Sequence, residues 1–238
     1  NFKWFSVFCL ILFFISIFLT FVRGIWISIF FSALIMSFVI SYKKTITIVL
    51  VTLLLSFIAY FSWPTFKLRV DSTNIASASN MERINLFKLN IQIWKEYPLL
   101  GIGYGENLRR NREYWDKPEW NMPGDYITSH AHNQYLNVLA TTGVFGFSFF
   151  LCFFSYFLIK NLKMLKNEKR NISFRYALIF GCMWAQLEFI FACLTDVTFE
   201  YAKIRALYLF IWALLIAIER YSDTMIDESN IRGDKIAS

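Results

Sequence analysis

The feature that most constrains this fold is a series of long apolar runs. Hydrophobic residues make up 57% of the chain, and a helix that crosses a bilayer needs about 20 predominantly apolar residues in a row. We predict about six membrane spans, at about 4–22, 24–42, 45–62, 134–159, 176–194 and 203–219. The chain is therefore expected to be an all-α polytopic membrane protein and not a soluble domain.

Basic residues in the connections predict how these spans are oriented. A lysine pair separates the second and third spans, and the connection 160–175 carries six Lys or Arg residues against one acid. By the positive-inside rule both connections are cytoplasmic. Alternation then places the turn at Arg23, the long loop 63–133 and the connection 195–202 together on the opposite face. The net charge of +7 is thus an orientation signal, and we expect no nucleic-acid partner.

This topology divides the chain into four parts. We predict three transmembrane helices in 1–62, a large periplasmic loop in 63–133, three more transmembrane helices in 134–219 and a polar cytoplasmic tail in 220–238. The sequence starts at Asn1 and not at Met, and an apolar run follows at once. We therefore expect an incomplete N-terminus.

The large loop contains the pattern of an amphipathic helix. Apolar residues recur there at three- and four-residue steps: Ile84, Phe87, Ile91 and Trp94. Such spacing predicts one apolar helical face, which Pro98 ends. Arg83 falls in the first turn, where a helix N-terminus binds anions; the alternative is an ordinary solvated arginine. The turn PLLGIGYG at 98–105 follows, and its glycines permit a tight turn with backbone exposed to a ligand.

Both histidines of the chain lie close together, in HAHNQ at the outer mouth of the fourth predicted span. On a helix that begins near His132, Gly143 and Gly146 would lie within about 40 degrees of it. Small residues on one stripe let another helix approach closely in a membrane. The imidazole of His132 would then point into the bundle. The alternative is a hydrogen-bonded structural histidine, but two arginines are predicted on the same side of the membrane.

Four motifs together resemble those of the bacterial O-antigen ligase and O-antigen polymerase C-terminal domain superfamily. They are His132-Asn133 followed by Gly143 and Gly146, TFVRGIW around Arg23, Arg83 before NLFKLNIQIWKEYP, and PLLGIGYG. The likeness covers roughly residues 10–215. One departure is Val22, where the family often has Ser before the arginine.

The resemblance implies a metal-independent, cofactor-free glycosyltransferase of the GT-C type. Such an enzyme is a multi-pass protein of the bacterial inner membrane, takes a glycan from an undecaprenyl diphosphate carrier and acts at the periplasmic face. Guanidinium groups bind phosphate oxygens through paired donors, so Arg83 and Arg23 are candidates for the donor diphosphate. Imidazoles generally titrate near neutral pH, which suits His132 as general base, with Asn133 orienting it or the acceptor. His130 is assigned a supporting role.

Other polar residues near the predicted outer face are further candidates. Glu188 lies within a span, Asp196 at its outer end could hold the imidazole tautomer, and Arg205 could face the same cavity. Sealing of a polar bundle interior is the competing explanation for each of them. A metal site on the two histidines would need Asp125 or another carboxylate, and we expect no metal.

The acceptor decides between related functions. The leading hypothesis is an O-antigen ligase that transfers glycan to lipid A-core; an O-antigen polymerase or a protein O-oligosaccharyltransferase would share the donor. A cluster of aromatic and basic loop residues favours an anionic lipid A-core acceptor: Trp94, Trp115, Trp120, Arg109, Arg110 and Arg112. A transporter or flippase is less favoured, since polar residues gather in the outer loop and at span ends.

Overall fold

The computed structural model describes residues 2–20, 22–71, 78–115, 117, 130–168 and 173–236, and within them the regular structure is helical. The helices are α1 (Phe2–Leu19), α2 (Arg23–Ile40), α3 (Tyr42–Ser62), α4 (Pro64–Asp71), α5 (Ala78–Glu96), α6 (Asn107–Trp115), α7 (Gln134–Asn167), α8 (Phe174–Ala192) and α9 (Ala202–Ile236). A 3-10 turn covers Thr198–Glu200. The predicted all-α architecture is confirmed.

Each predicted span overlaps a helix, and α7 and α9 extend beyond the spans predicted for them. By length and composition, three described helices are apolar enough to cross a membrane: Thr45–Ser62 within α3, and the whole of α7 and α8. The helices α1 and α2 carry shorter apolar segments, Trp4–Ile17 and Arg23–Val39. The chain is thus a helical membrane protein, while the number of spans and the side of the large loop remain predictions.

The chain forms two compact units. The first unit comprises Asn1–Phe147 with Glu188–Val197, and the second comprises Ser148–Leu187 with Thr198–Ser238. In the first unit, α5 and α6 pack on the start of α7 through a small apolar core of Leu89, Ile93, Tyr114 and Ala140, with Ile102 against it. The predicted loop helix is therefore present as α5, but its predicted apolar face is wrong. The helix has a second apolar stripe, Leu86, Leu89 and Ile93, and this stripe is the one buried on protein, whereas Ile91 of the predicted stripe is exposed.

The second unit is built around Trp212. Its ring stacks on Phe157 with centroids 4.2 Å apart and lies edge-on to Phe153 at 4.3 Å. Tyr208 adds a further edge contact at 4.5 Å. Aromatic pairs in such geometries gain about 0.5–1.5 kcal/mol beyond the area that they bury.

Helix α7 is broken at Gly143, which has φ 64° and ψ −168°. Only glycine adopts this backbone region readily. The predicted helix from His132 through Gly143 and Gly146 is therefore wrong, because a break resets the 100-degree step that placed the three residues on one stripe. His132 itself precedes α7 and has a positive φ of 48°. A side chain at Gly146 would collide with Thr142 of α7 itself, so its small size serves a contact within that helix.

The turn after α5 forms backbone hydrogen bonds with α7 on both sides of this break. From donor to acceptor, the bonds are Ile102 to Ala140 (3.1 Å), Gly103 to Thr141 (2.8 Å), Val144 to Pro98 (2.8 Å) and Phe145 to Leu99 (3.3 Å). They satisfy polar groups that a helix break leaves without helical partners. A side chain on Gly101 would collide with the backbone of Thr141, and one on Gly143 with that of Leu99. The predicted exposure of this turn's backbone to a ligand is therefore wrong for Ile102 and Gly103, whose N–H groups hold α7.

Candidate active site

His132, His130 and Asp196 meet beside the start of α7. The Nδ1 atom of His132 lies 3.7 Å from Oδ1 of Asp196, which is an ion-pair distance and longer than a hydrogen bond. The ring of His130 lies edge-on to that of His132, with centroids 4.6 Å apart and planes at 87°. The sequence prediction that Asp196 accompanies the histidines is thus matched by the geometry of the first unit.

Asn133 holds this histidine segment in place. Its Oδ1 accepts the N–H of Leu136 at 3.0 Å, which is the bond of a helix N-cap, and its Nδ2 donates to the carbonyl of Leu194 at 3.0 Å. The next residue, Gln134, donates its N–H to the carbonyl of Cys193 at 2.8 Å. Both ends of the Asn133 amide are therefore engaged with backbone. This geometry gives Asn133 a positioning function and does not aim its amide at an acceptor.

Asp196 is held in its ionised form. Burial by itself would raise the pKa of the carboxyl group, but the neighbouring His132 imidazole, the N–H of Val197 at 2.8 Å and the charge of His130 together keep that pKa below its usual value. A carboxylate that faces Nδ1 of an imidazole favours the tautomer with its proton on Nδ1. The other ring nitrogen of His132, Nε2, then carries the lone pair that a general base needs.

Arg23 stands at the N-terminus of α2, beside the turn that carries Asp196. The adjacent Gly24 touches the side chain of Thr195 so closely that a Cβ atom could not be accommodated. Thr195 immediately precedes Asp196 in the chain. Glycine is therefore needed after Arg23 for packing, because it lets α2 approach the turn that carries Asp196. The sequence alone did not reveal this.

One of the two predicted diphosphate-binding arginines, Arg23, contacts the helix that carries the other. Arg23 donates from Nη2 to Oδ1 of Asn80 at 3.5 Å, and Arg83 follows Asn80 by three residues on α5. Residues three apart on a helix are neighbours on its surface. Arg23 and Arg83 are both partly buried, and both belong to the first unit. Sequence reasoning missed Asn80, because only the contact between α2 and α5 gives it a function.

Glu188 joins α8 to α2 at a buried site. Its two carboxyl oxygens accept the hydroxyl groups of Ser28 at 2.5 Å and Ser32 at 3.0 Å. These serines lie one helical turn apart and are only 1% and 0% exposed. The arrangement fits the competing explanation for Glu188, in which a polar group seals and ties the helix bundle.

The remaining candidates are one residue of the second unit and two residues outside the described part of the chain. Arg205 belongs to the second unit, where its Nη1 donates to the carbonyl of Phe199 at 3.4 Å. Its place in the same cavity remains a prediction. Asp125 and Trp120 lie outside the described residues.

Two arginines of the proposed acceptor surface are paired with carboxylates. Arg109 pairs with Glu106 and Glu113 at 2.6 Å each, and Arg110 pairs with Glu113 at 2.7 Å. Arg110 also donates to the hydroxyl of Tyr97 at 2.8 Å. Both guanidinium groups are therefore already paired with glutamate carboxylates in or next to α6. This weakens the argument that they bind an anionic acceptor.

A helical membrane protein that brings a histidine–aspartate pair and an arginine-bearing turn together has the groups for acid–base chemistry on an anionic substrate. The family model described as O-antigen ligase matches residues 8–151, which include Arg23, Arg83, His132 and Asn133. The chain belongs to the O-antigen ligase family. Members of this family are membrane enzymes of the glycosyltransferase or ligase type, and this assigns the chain an activity of the O-antigen ligase or polymerase type. The curated proteins contain no match to the chain. Glu188 and Asp196 lie beyond the matched residues.

Proposed function

We propose that the protein is an O-antigen ligase, which transfers a glycan from undecaprenyl diphosphate to a hydroxyl group of lipid A-core. The observation that carries this proposal is the His132–Asp196 pair beside the α2 terminus that carries Arg23. It provides a base for the acceptor hydroxyl and positive charge for the donor diphosphate, the two groups that this reaction needs.

The arginines act on the leaving group. As the bond between the anomeric carbon and the diphosphate oxygen breaks, negative charge grows on the diphosphate. The guanidinium groups of Arg23 and Arg83 bind these oxygens by charge-assisted paired hydrogen bonds. Asn80, three residues before Arg83 on α5, accepts a hydrogen bond from Arg23 and keeps it oriented. In this mechanism the arginines supply the charge that a metal ion supplies elsewhere, so transfer is independent of metal and of cofactor.

His132 acts on the acceptor. With Asp196 facing Nδ1, its Nε2 takes the proton of the acceptor hydroxyl while that oxygen attacks the anomeric carbon of the donor sugar. The glycan is thereby joined to the acceptor, and undecaprenyl diphosphate leaves. His130 supports the pair through its edge-on ring contact, and Asn133 fixes the segment by capping α7.

The orientation is part of the proposal. We place the protein in the bacterial inner membrane with about six spans, the 63–133 loop and the site in the periplasm, and the 160–175 connection and the tail from 220 onward in the cytoplasm. Reporter fusions in the 98–129 segment and after Arg220 test this. A periplasmic reporter must be active only in the first position and a cytoplasmic reporter only in the second.

Complementation in deletion strains tests the acceptor. In a strain that lacks its own ligase, the full chain should restore glycan on lipid A-core, and His132→Ala made to equal protein level should not. The pairing of Arg109 and Arg110 with carboxylates removes an argument that separated ligase from polymerase. If the chain instead lengthens carrier-linked glycan in a polymerase-deficient strain and leaves the ligase mutant unchanged, the polymerase function replaces the ligase function. Glycan on proteins alone would indicate an oligosaccharyltransferase.

A further inference from the structure

The two histidines and Asp196 offer a set of ligand atoms that suits a transition-metal ion. Each of the three residues provides one ring nitrogen or carboxylate oxygen, and these atoms all lie within 4.8 Å of one another. Imidazole nitrogen favours zinc, copper and nickel over magnesium and calcium, which prefer oxygen ligands. Asp196 supplies the carboxylate that a metal site on the two histidines would need.

The distances are close to those of a tetrahedral zinc site. Zinc binds histidine nitrogen at about 2.0–2.1 Å and carboxylate oxygen at about 2.0–2.2 Å, so two tetrahedral ligands are about 3.3–3.5 Å apart. The 3.7 Å between His132 Nδ1 and Asp196 Oδ1 needs almost no adjustment. The third ligand, His130, lies within 4.8 Å of the other two and before the first residue of α7, so a movement on the order of 1–2 Å closes the set on one ion. Three protein ligands leave the fourth zinc position to water.

We propose that His130, His132 and Asp196 form a zinc-binding site whose occupation inhibits the enzyme. The inhibitory part of this proposal rests on the function proposed above. Zinc bound to Nδ1 of His132 leaves the imidazole proton on Nε2, so the ring has no lone pair for the acceptor hydroxyl. The metal also binds the carboxylate of Asp196, which then no longer orients the imidazole of His132. The bound ion therefore removes the base without any redox or covalent change.

Metal binding can be measured without any glycan substrate. Purified full chain, first stripped with a chelator, is dialysed to equilibrium against micromolar zinc, and bound zinc per chain is determined. Because exposed thiols also bind zinc, the measurement uses a Cys9→Ser, Cys152→Ser background. We expect His130→Gln and Asp196→Asn each to weaken zinc binding at least tenfold. Asp71→Asn, which alters a carboxylate at the end of α4, is the matched control and should bind like the parent chain.

The activity measurement tests inhibition separately. Zinc should suppress glycan transfer by the parent chain, a chelator should restore it, and magnesium at the same concentration should have no effect. In His130→Gln, the same zinc concentration should leave that variant's own zinc-free rate nearly unchanged. Unaltered zinc binding in both site variants, with native circular dichroism, overturns the site. Zinc binding without loss of transfer overturns the inhibition. Because binding is measured without substrates, failure of the proposed ligase function leaves the binding result interpretable.

Discussion

Replacement of Gly143 by alanine tests whether the break in α7 is held by the turn after α5. A Cβ atom at this position would meet the carbonyl group of Leu99, which is backbone and cannot rotate away. The turn and the broken helix must then separate. We expect a severe loss of stability, and with it a loss of the connection between the helix of Arg83 and the helix that begins after His132.

The magnitude follows from the backbone geometry. An alanine forced into a region that essentially only glycine occupies costs about 1–3 kcal/mol. Separation also breaks the four hydrogen bonds that join the turn to α7, each of which contributes about 1 kcal/mol net. The expected total is about 5–7 kcal/mol, a large part of the 5–15 kcal/mol by which proteins are typically stable. At roughly 2–4 °C per kcal/mol for a chain of this size, Tm should fall by about 10–28 °C.

Gly105→Ala is the matched control. Gly105 also has a positive φ, of 85°, but a Cβ atom there would meet nothing within 4 Å. Its cost should be limited to the backbone strain of about 1–2 kcal/mol. Thermal unfolding of both variants in detergent, followed by circular dichroism, gives the comparison. Equal shifts in Tm would refute the argument, since strain alone would then account for both variants.

Other predictions address the chemistry of the site. His132→Ala should abolish glycan transfer with membrane insertion intact, whereas His130→Ala should retain measurable activity; equal loss at equal protein level rejects a single base. Arg83→Lys keeps the charge but loses the planar pair of donors, so turnover with defined donor and acceptor lipids should fall strongly. Near-normal kinetics of the lysine variant would show that Arg83 contributes only its positive charge. Chelator treatment should leave transfer undiminished; loss that one added divalent ion restores would indicate a metal-assisted mechanism. Glu188→Gln, which can still bond both serines, should transfer glycan far better than Glu188→Ala, and similar rates for the two variants would exclude the α2–α8 tie as a positioning device.

Much of the fold could be predicted because it depends on local composition. A run of about 20 apolar residues has few alternatives to a helix in a bilayer. The loop helix was predicted as well, although its buried face is that of Leu86, Leu89 and Ile93 and not the predicted stripe. The break at Gly143 could not be predicted in this way. A glycine in an apolar run is compatible with a continuous helix, and only the arrival of the 98–103 backbone at that point makes the break stable.

The site was predicted in its residue types and missed in its geometry. The motifs singled out Arg23, Arg83 and His132, all three of which belong to the first unit, and their chemical functions stay predictions. Asn80 and Thr195 gave no signal, because their contacts depend on which helices pack together. The same holds for Arg109 and Arg110, whose partners only α6 brings into place.

The position of His132 explains why its chemistry depends on residues outside the matched motifs. It lies before α7, with a positive φ of 48° that a regular helix would not permit. That backbone shape is maintained by the Asn133 cap and by the bonds from 133 and 134 to the carbonyls of 194 and 193. The same turn after α8 carries Asp196, so the bonds that fix the histidine backbone also fix its carboxylate partner. A change in that turn, such as Thr195→Val with Gly24 retained, should therefore lower turnover more than it lowers stability, because it shifts Asp196 and Arg23 together while the apolar core of α5, α6 and α7 stays intact. Parallel measurement of kcat and Tm tests this, and a fall in Tm that accounts for all of the lost activity would contradict it.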